Sequence, residues 1–426
     1  MSASTTSINH IEPCDRGRDW ATQSKRCFDS RTEAVSVTAI QGCALLANLA
    51  FIEGDAMMES LYAAQAIRMV QLLDLPRRLS ADSVQQETEI RIWWTVWMTD
   101  AWTSTSLAIP PQLIVEPAYP PPMEEAAFTN LRSDRSPDAP ASTAHERESG
   151  LWTQMIPLTQ IMAKIHTLNT KAMKDVASGA QILEEVEQLS FQLDLWRSRL
   201  PDHLESTPAN LQAYADRGLG RVFAALHFGY HHHSQVLCYR FLRHAGENSH
   251  QQPFSTAFLY EHVAQNYASR CKYHALELSK LMWKTNTTAG LECLWAINGH
   301  LLVIASSTHL HTLLFEGNEA SRREAKELLE QNFKMLLQLQ RYWPCLYLSM
   351  SRLKAFHRAC EESMDQSFDM DQWMLHFLQQ YASPAGDRFM GLGKDSESAN
   401  GYLSHSFISN KRVTLSFQAG RQFLPQ

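Results

Sequence analysis

Four histidines near the middle of the chain have the residue type and spacing from which a protein could build a metal site. They are His227, His231, His232 and His233. In a helix, His227 and His231 would lie one turn apart on a shared face. A zinc site needs at least one further ligand, and Cys238 is the only neighbouring candidate at helical spacing. We therefore interpret the histidines as a buried or hydrogen-bonded helix face and predict no metal ligand.

The pair His232-His233 also looks like the start of an H-H-x3-D-G motif, in which the second histidine moves a proton during acyl transfer. Val236 or Leu237 stands where that motif has aspartate, so the motif is incomplete. The sequence also lacks G-x-S-x-G, H-E-x-x-H and a strand followed by G-x-G-x-x-G. We therefore predict no catalytic residue, no cofactor-binding residue and no enzymatic activity. A helical natural-product enzyme is the least favoured alternative.

The formal charge and the cysteines restrict the partners and the compartment. A net charge of -7 over 426 residues opposes nonspecific attraction to the phosphates of DNA. The eight cysteines lie at positions 14, 27, 43, 238, 271, 293, 345 and 360, without any C-x2-C spacing, which suits a reducing compartment. No secretory signal and no apolar run of membrane length occurs, so we predict no membrane association.

Helices must position these residues, because apolar residues recur at helical spacing along most of the chain and no segment alternates convincingly like a strand. We predict an all-α fold, a multi-helix array of about ten to twelve helices. The predicted helices include 38–52, 56–73, 182–200, 221–244, 260–282, 291–315, 321–343 and 346–363. Another helix should begin at a capping box of Ser83 and Gln86 and bury a stripe that contains Ile90, Trp94 and Trp97.

Two segments need a separate interpretation. The stretch 106–150 contains many prolines, among them Pro120-Pro121-Pro122, and a polar charged run. It therefore predicts a proline-rich surface loop without regular structure. In 182–200, apolar residues repeat at alternating separations of four and three. We interpret this repeat as helix packing inside the bundle rather than a free coiled coil, because the run is short.

A series of motifs between Met57 and Pro111 resembles the core signature of a known family. A helix with the letters A-I-R-M is followed by a helix with E-I-R-I-W-W, then by an aspartate and a pair of prolines. This order resembles the fungal-specific transcription factor domain, the middle homology region of the binuclear zinc-cluster regulators. The residues that carry the match are Arg68, Arg91, Trp93, Trp94, Asp100, Pro110 and Pro111. Ala108-Ile109 replaces the family's usual Gly-Arg before the prolines.

The resemblance implies a domain organisation and a function. Later matching blocks near Trp196, His227 and Trp343 extend it over a regulatory domain at 35–384. A flexible N-terminal tail at 1–34 and a loosely ordered C-terminal tail at 385–426 would flank this domain. Such a protein would act in the nucleus as a pathway-specific transcription regulator of a metabolic or secondary-metabolite gene cluster. Its ligands could include a small-molecule effector.

Members of that family bind DNA through six cysteines within about thirty residues, which hold two zinc ions. This sequence contains no such pattern. The resemblance therefore implies that DNA is reached only indirectly, in a homodimer or in a heterodimer with a zinc-cluster regulator, or through a missing N-terminal domain. Zinc is expected only if such an upstream cluster exists. The alternative is a scaffold or corepressor without DNA binding of its own that pairs with a full-length regulator.

The charged and aromatic residues of the motif have a predicted structural role. Charged side chains within an apolar helix are seldom buried unless they are paired. We expect Arg91 or Arg68 to have an acidic or carbonyl partner that holds adjacent helices in register. Trp93 and Trp94 project about 100° apart in a helix. We therefore interpret them as core residues rather than as a surface on which nucleic-acid bases stack.

Overall fold

The computed structural model describes residues 13–32, 35–75, 77–78, 80, 82–107, 109–115, 119–132, 147, 150–173, 179–242, 255–316, 318–362 and 372–379. Within these residues the fold is all-α, as the sequence predicts, with fourteen α-helices and no strand. This number exceeds the ten to twelve expected from the sequence, and the helices that the sequence analysis did not place include short ones at Glu125–Asn130 and Pro208–Asp216.

The helices follow one another along the whole described chain. Those before residue 200 are α1 (Arg18–Asp29), α2 (Val37–Glu53), α3 (Ala56–Leu72), α4 (Ser83–Leu107), α5 (Glu125–Asn130), α6 (Leu151–Met173) and α7 (Gly179–Ser198). Those after it are α8 (Pro208–Asp216), α9 (Gly220–Cys238), α10 (Ser255–Thr287), α11 (Asn298–Phe315), α12 (Glu319–Gln340), α13 (Leu346–Glu362) and α14 (Gln372–Gln379).

Side-chain caps determine where the hairpin of α2 and α3 turns. The Ser36 side chain accepts the N–H of Ala39, and Asp55 accepts the N–H of Met58. These caps satisfy backbone donors that have no partner in the first turn of a helix. Between the helices, Gly54 takes the left-handed conformation, with φ of 79°, which glycine adopts without a steric penalty.

The start of α4 differs from its predicted form. Asp82 caps the helix, because its Oδ1 accepts the N–H of Val84 at 2.8 Å, while Ser83 is already the first helical residue. The Gln86 side chain accepts the N–H of Ser80 at 2.6 Å, outside the helix. The predicted capping box of Ser83 and Gln86 is therefore wrong, since the aspartate one position earlier fills the acceptor role.

The proline-rich stretch contains more structure than the sequence predicts. Part of 106–150 lies outside the described residues, but α5 falls inside it, and Glu124 caps this helix through the N–H groups of Ala126 and Ala127. Leu113 and Met123 are buried. The prediction of a surface loop without regular structure is therefore wrong for these residues, because prolines and polar residues flank short segments that pack against α4.

A second boundary also differs from the sequence expectation. The helix predicted at 291–315 begins only at Asn298, and 291–295 has no regular structure. The Trp343 indole N–H donates to the carbonyl of Leu294 at 2.5 Å, and Leu291 is buried. Tertiary contacts thus hold an apolar segment in a non-helical form, which apolar periodicity alone does not distinguish from a helix.

Two principal apolar clusters form the interior. One is built from α2, α3 and α4 and includes Ile40, Val70, Trp93 and Trp94. The larger one extends from α6 to α14 and contains the apolar stripe of α7, with Val186, Leu189, Leu193 and Trp196 buried. The α7 stripe thus packs within the bundle, as predicted from its spacing. Among the described residues, no helix combines the length and the apolar character needed to cross a membrane.

The predicted domain boundaries remain a prediction. Helix α1 lies inside the stretch 1–34, which the sequence predicts to be a flexible tail. The tail predicted at 385–426 lies outside the described residues.

Candidate functional site

The carboxylate of Asp100 holds the segment that follows the two prolines of the motif. Asp100 is 1% exposed, and its Oδ2 accepts the N–H groups of Gln112 and Leu113, each at 2.7 Å. Pro110 and Pro111 carry no N–H group, so these are the first two backbone donors after the prolines. Desolvation raises the pKa of Asp100, whereas these hydrogen bonds act in the opposite direction. The two hydrogen bonds to Asp100 therefore fix the backbone after the prolines against α4.

Nearly two turns of helix before the tryptophans, a buried glutamate connects three elements. Glu87 is 2% exposed. Its Oε1 accepts the Arg91 Nε at 3.2 Å and the Met123 N–H at 2.8 Å, and its Oε2 accepts the Arg147 Nη1 at 3.0 Å. Arg91 Nη2 also donates to the Met123 carbonyl at 2.7 Å. A carboxylate paired in this way keeps the partners that its burial requires.

Arg91 also packs on the helix that lies within the proline-rich stretch. Its guanidinium stands 4.1 Å from the ring centroid of Phe128 in α5. The structure therefore gives Arg91 an acidic partner, a carbonyl partner and an aromatic neighbour. Arg68, the other arginine of the motif, lies on the exposed side of α3.

Both tryptophans of the motif are buried in the cluster of α2, α3 and α4. The Trp94 indole N–H donates to the Pro120 carbonyl at 2.9 Å. Trp93 contacts Trp94 and Tyr119 edge to face, with ring centroids 4.8 Å and 4.6 Å apart. Each ring is 2% exposed, so neither presents a face on which a base could stack.

Helix α4 is thus an anchor for the described residues of the segment from Pro110 to Phe128, which are 110–115 and 119–128. Asp100, Trp94, Glu87 and Arg91 hold the segment at successive points through its backbone N–H and carbonyl groups. Their hydrogen-bonding atoms face protein partners. The arrangement can fix one conformation of the segment and can transmit a displacement of the segment to α4.

The structure divides the four neighbouring histidines between two sides of α9. His231 Nδ1 lies 3.1 Å from His274 Nδ1 of α10. On the other side, His232 packs against His300 of α11 with ring centroids 5.4 Å apart. The four histidines therefore do not form one cluster. Among the described residues, no group of three or more His, Cys, Asp and Glu side chains is arranged to hold a metal ion.

Burial keeps these imidazoles neutral at neutral pH. Desolvation is the main cause that lowers the pKa of His227 and His232 to about 4 and of His231 to about 3. The pKa of His233 is well below its ordinary value for the same reason, with His232 and His166 nearby. Neutral imidazoles could accept a proton from a reacting group, but His232 and His233 are almost inaccessible to solvent.

The sequence does not reveal several residues that complete these arrangements. Arg147 lies 60 positions after its partner Glu87, and no local pattern connects the two. Glu59 is also missed, because a glutamate in the first turn of an amphipathic helix is usually exposed. In the structure it is buried.

Comparison with known proteins identifies the region that contains the anchor. The sequence profile of the fungal specific transcription factor domain matches residues 4–198. No curated protein and no solved structure shows a significant match. The matched stretch includes α4, both tryptophans, Asp100 and the two prolines. Over residues 4–198 the chain is therefore similar to the fungal specific transcription factor domain of fungal transcription regulators.

Proposed function

We propose that the protein is a pathway-specific transcription regulator that acts in the nucleus on a metabolic or secondary-metabolite gene cluster. The match of residues 4–198 to a regulatory domain of fungal transcription factors is the observation that carries this proposal. The anchor on α4 supports it, because the motif residues have the packing and hydrogen-bonding roles of a structural element rather than those of a reaction centre.

The proposed route to DNA is through another polypeptide. The net charge of -7 and the absence of any C-x2-C pair in the sequence favour a homodimer or a heterodimer with a zinc-cluster regulator over direct binding by these residues. A zinc cluster that precedes residue 1 would serve the same purpose, and zinc would then be needed there alone. We propose no cofactor, no metal and no catalytic residue for this chain.

A comparison of transcripts in strains with and without the gene tests the regulatory role. We expect a set of functionally related genes, including neighbours of the gene, to change expression several-fold. A strain that produces the Asp100→Ala variant should reproduce the change, because the anchor is lost. Unchanged expression of every neighbouring gene would contradict the proposal.

The alternative is a scaffold or corepressor that pairs with a full-length regulator. The sequence without C-x2-C spacing supports it equally. Fusion of the chain to an unrelated DNA-binding domain distinguishes the two. A regulator with its own output should change a reporter gene at the tethered site, whereas a scaffold should do so only when its partner regulator is present in the cell.

A further inference from the structure

A small pocket lies where the α2–α3 hairpin meets α11 and α13. Phe51 and Glu59 form one wall, and His300, Cys345 and Leu348 form the other. The two walls are joined beside the pocket, since the Cys345 N–H donates to the Ile52 carbonyl at 3.4 Å. One wall therefore belongs to the matched domain at 4–198 and the other lies outside it.

A buried carboxylate faces this pocket. Glu59 is 7% exposed, and its Oε2 has no hydrogen-bond partner among the described residues. Burial raises the pKa of Glu59 to about 7. A buried carboxylate oxygen that lacks a donor is costly, so Oε2 of Glu59 is suited to accept a hydrogen bond from a ligand.

The other titratable groups of the pocket do not supply that partner. Burial lowers the pKa of His300 well below its ordinary value and raises the pKa of Cys345 to about 12. Both side chains are therefore neutral near pH 7, and neither neutralises Glu59. Glu59 is the group of this pocket whose charge changes close to neutral pH.

The size and the walls of the pocket select the ligand chemistry. The pocket has room for a group about the size of a water molecule, and the apolar side chains of Phe51 and Leu348 are among those that line it. A primary ammonium group has this size, three donors and a positive charge. An alcohol of the same size lacks the charge, a quaternary ammonium is too large, and an anion is repelled.

We propose that this pocket binds the ammonium group of a primary amine, with the ammonium on the Glu59 carboxylate and the alkyl chain against Phe51 and Leu348. The amine would bridge the domain at 4–198 and the helices after residue 290, so binding would stabilise their contact. Its use as an effector rests on the proposed regulatory function, whereas the binding itself does not.

Thermal unfolding of the full 426-residue chain with butylammonium chloride tests the site. At pH 8, where Glu59 is mainly charged, millimolar butylammonium should raise the Tm, and 1-butanol and tetramethylammonium chloride at equal concentration should not. Glu59→Gln should weaken the butylammonium affinity about tenfold or more, because a charge-assisted hydrogen bond is lost. Glu53→Gln is the matched control, since Glu53 ends α2 of the same hairpin, is exposed and pairs with Lys25.

The outcomes of these binding experiments test the amine site separately from the proposed regulatory function. Butylammonium binding should also weaken from pH 8 to pH 6 as Glu59 becomes protonated, with His300 and Cys345 neutral throughout. An equal Tm rise in the wild type and in Glu59→Gln, or no rise in a normally folded wild type, overturns the site. Neither result bears on whether deletion of the gene changes transcription, which the strain comparison measures independently.

Discussion

The polar interior of α4 and that of α9 are built in opposite ways. In α4, both carboxylate oxygens of Glu87 and of Asp100 accept hydrogen bonds from named partners. Beside α9, the ring nitrogens of His166, His232 and His233 are buried without a hydrogen-bond partner among the described residues. Each region loses solvation, but the Glu87 and Asp100 carboxylates regain hydrogen bonds that these three imidazoles lack. Hydrogen bonds and ion pairs satisfy the Glu87 and Asp100 carboxylates of α4, whereas burial holds the imidazoles around α9 neutral.

This difference predicts which region responds to pH. Burial lowers the pKa of His166 to about 3 and of His232 to about 4, against 6.5 in an unfolded chain. Between these values the unfolded chain binds more protons than the folded one, so the free energy of unfolding falls as the pH decreases. It should be highest above about pH 7 and should lose about 3 kcal/mol per such histidine by pH 4. Urea unfolding at several pH values measures this loss.

A histidine substitution sharpens the test. His232→Gln removes one imidazole and should make the free energy of unfolding less dependent on pH between 6.5 and 4. The exposed His203 gives the control variant His203→Gln, which should leave the dependence close to that of the wild type. If His232→Gln leaves the pH dependence unchanged, the buried histidines beside α9 do not cause it.

The paired region should respond most strongly to the loss of one partner. Glu87→Ala leaves the guanidinium groups of Arg91 and Arg147 beside a buried site without their carboxylate. The free energy of unfolding should fall by about 3–5 kcal/mol, as for other broken buried pairs. Glu53→Ala breaks the exposed pair with Lys25 and should cost less than about 1 kcal/mol. Equal losses in both variants would show that the Glu87 network is no stronger than a surface pair.

The sequence predicts the two regions unequally, for a physical reason. Helical periodicity is local, so the all-α class, the burial of the tryptophans and the packed stripe of α7 follow from residues three and four positions apart. Arg91 is four residues from Glu87, but the other partners of Glu87 and the partner of Trp94 lie 26 to 60 positions away, and nothing in the spacing connects them. The cap of α4 fails for a different reason: Asp82 and Ser83 are both good capping residues, and only the backbone geometry decides between them.

Asp100→Asn tests whether the anchor needs charge or only shape. An asparagine side chain keeps the size, but its NH2 group would face at least one of the two backbone N–H donors from Gln112 and Leu113. Hydrogen bonds to a charged group contribute about 1.5–3 kcal/mol each, and a buried donor left unpaired adds its own cost. We expect a loss of about 2 kcal/mol in the free energy of unfolding, which chemical denaturation can measure. Ser104→Ala, which removes only the Oδ1 contact, should cost less. If Asp100→Asn is no less stable than the wild type, the turn after the prolines is held by packing alone.

The smallest effect in the anchored region should come from Trp94→Phe. The substitution keeps an aromatic ring against Trp93 and Trp97 but removes the indole N–H that donates to the Pro120 carbonyl. One neutral hydrogen bond and a small loss of volume together should cost about 1–2 kcal/mol.

Hydrogen exchange of the N–H groups of Gln112, Leu113 and Met123 adds a local measurement. Because Asp100 and Glu87 accept these N–H groups independently of Trp94, their exchange should quicken only as much as global stability falls. A much larger acceleration would mean that the tryptophan, rather than the two carboxylates, holds the segment on α4.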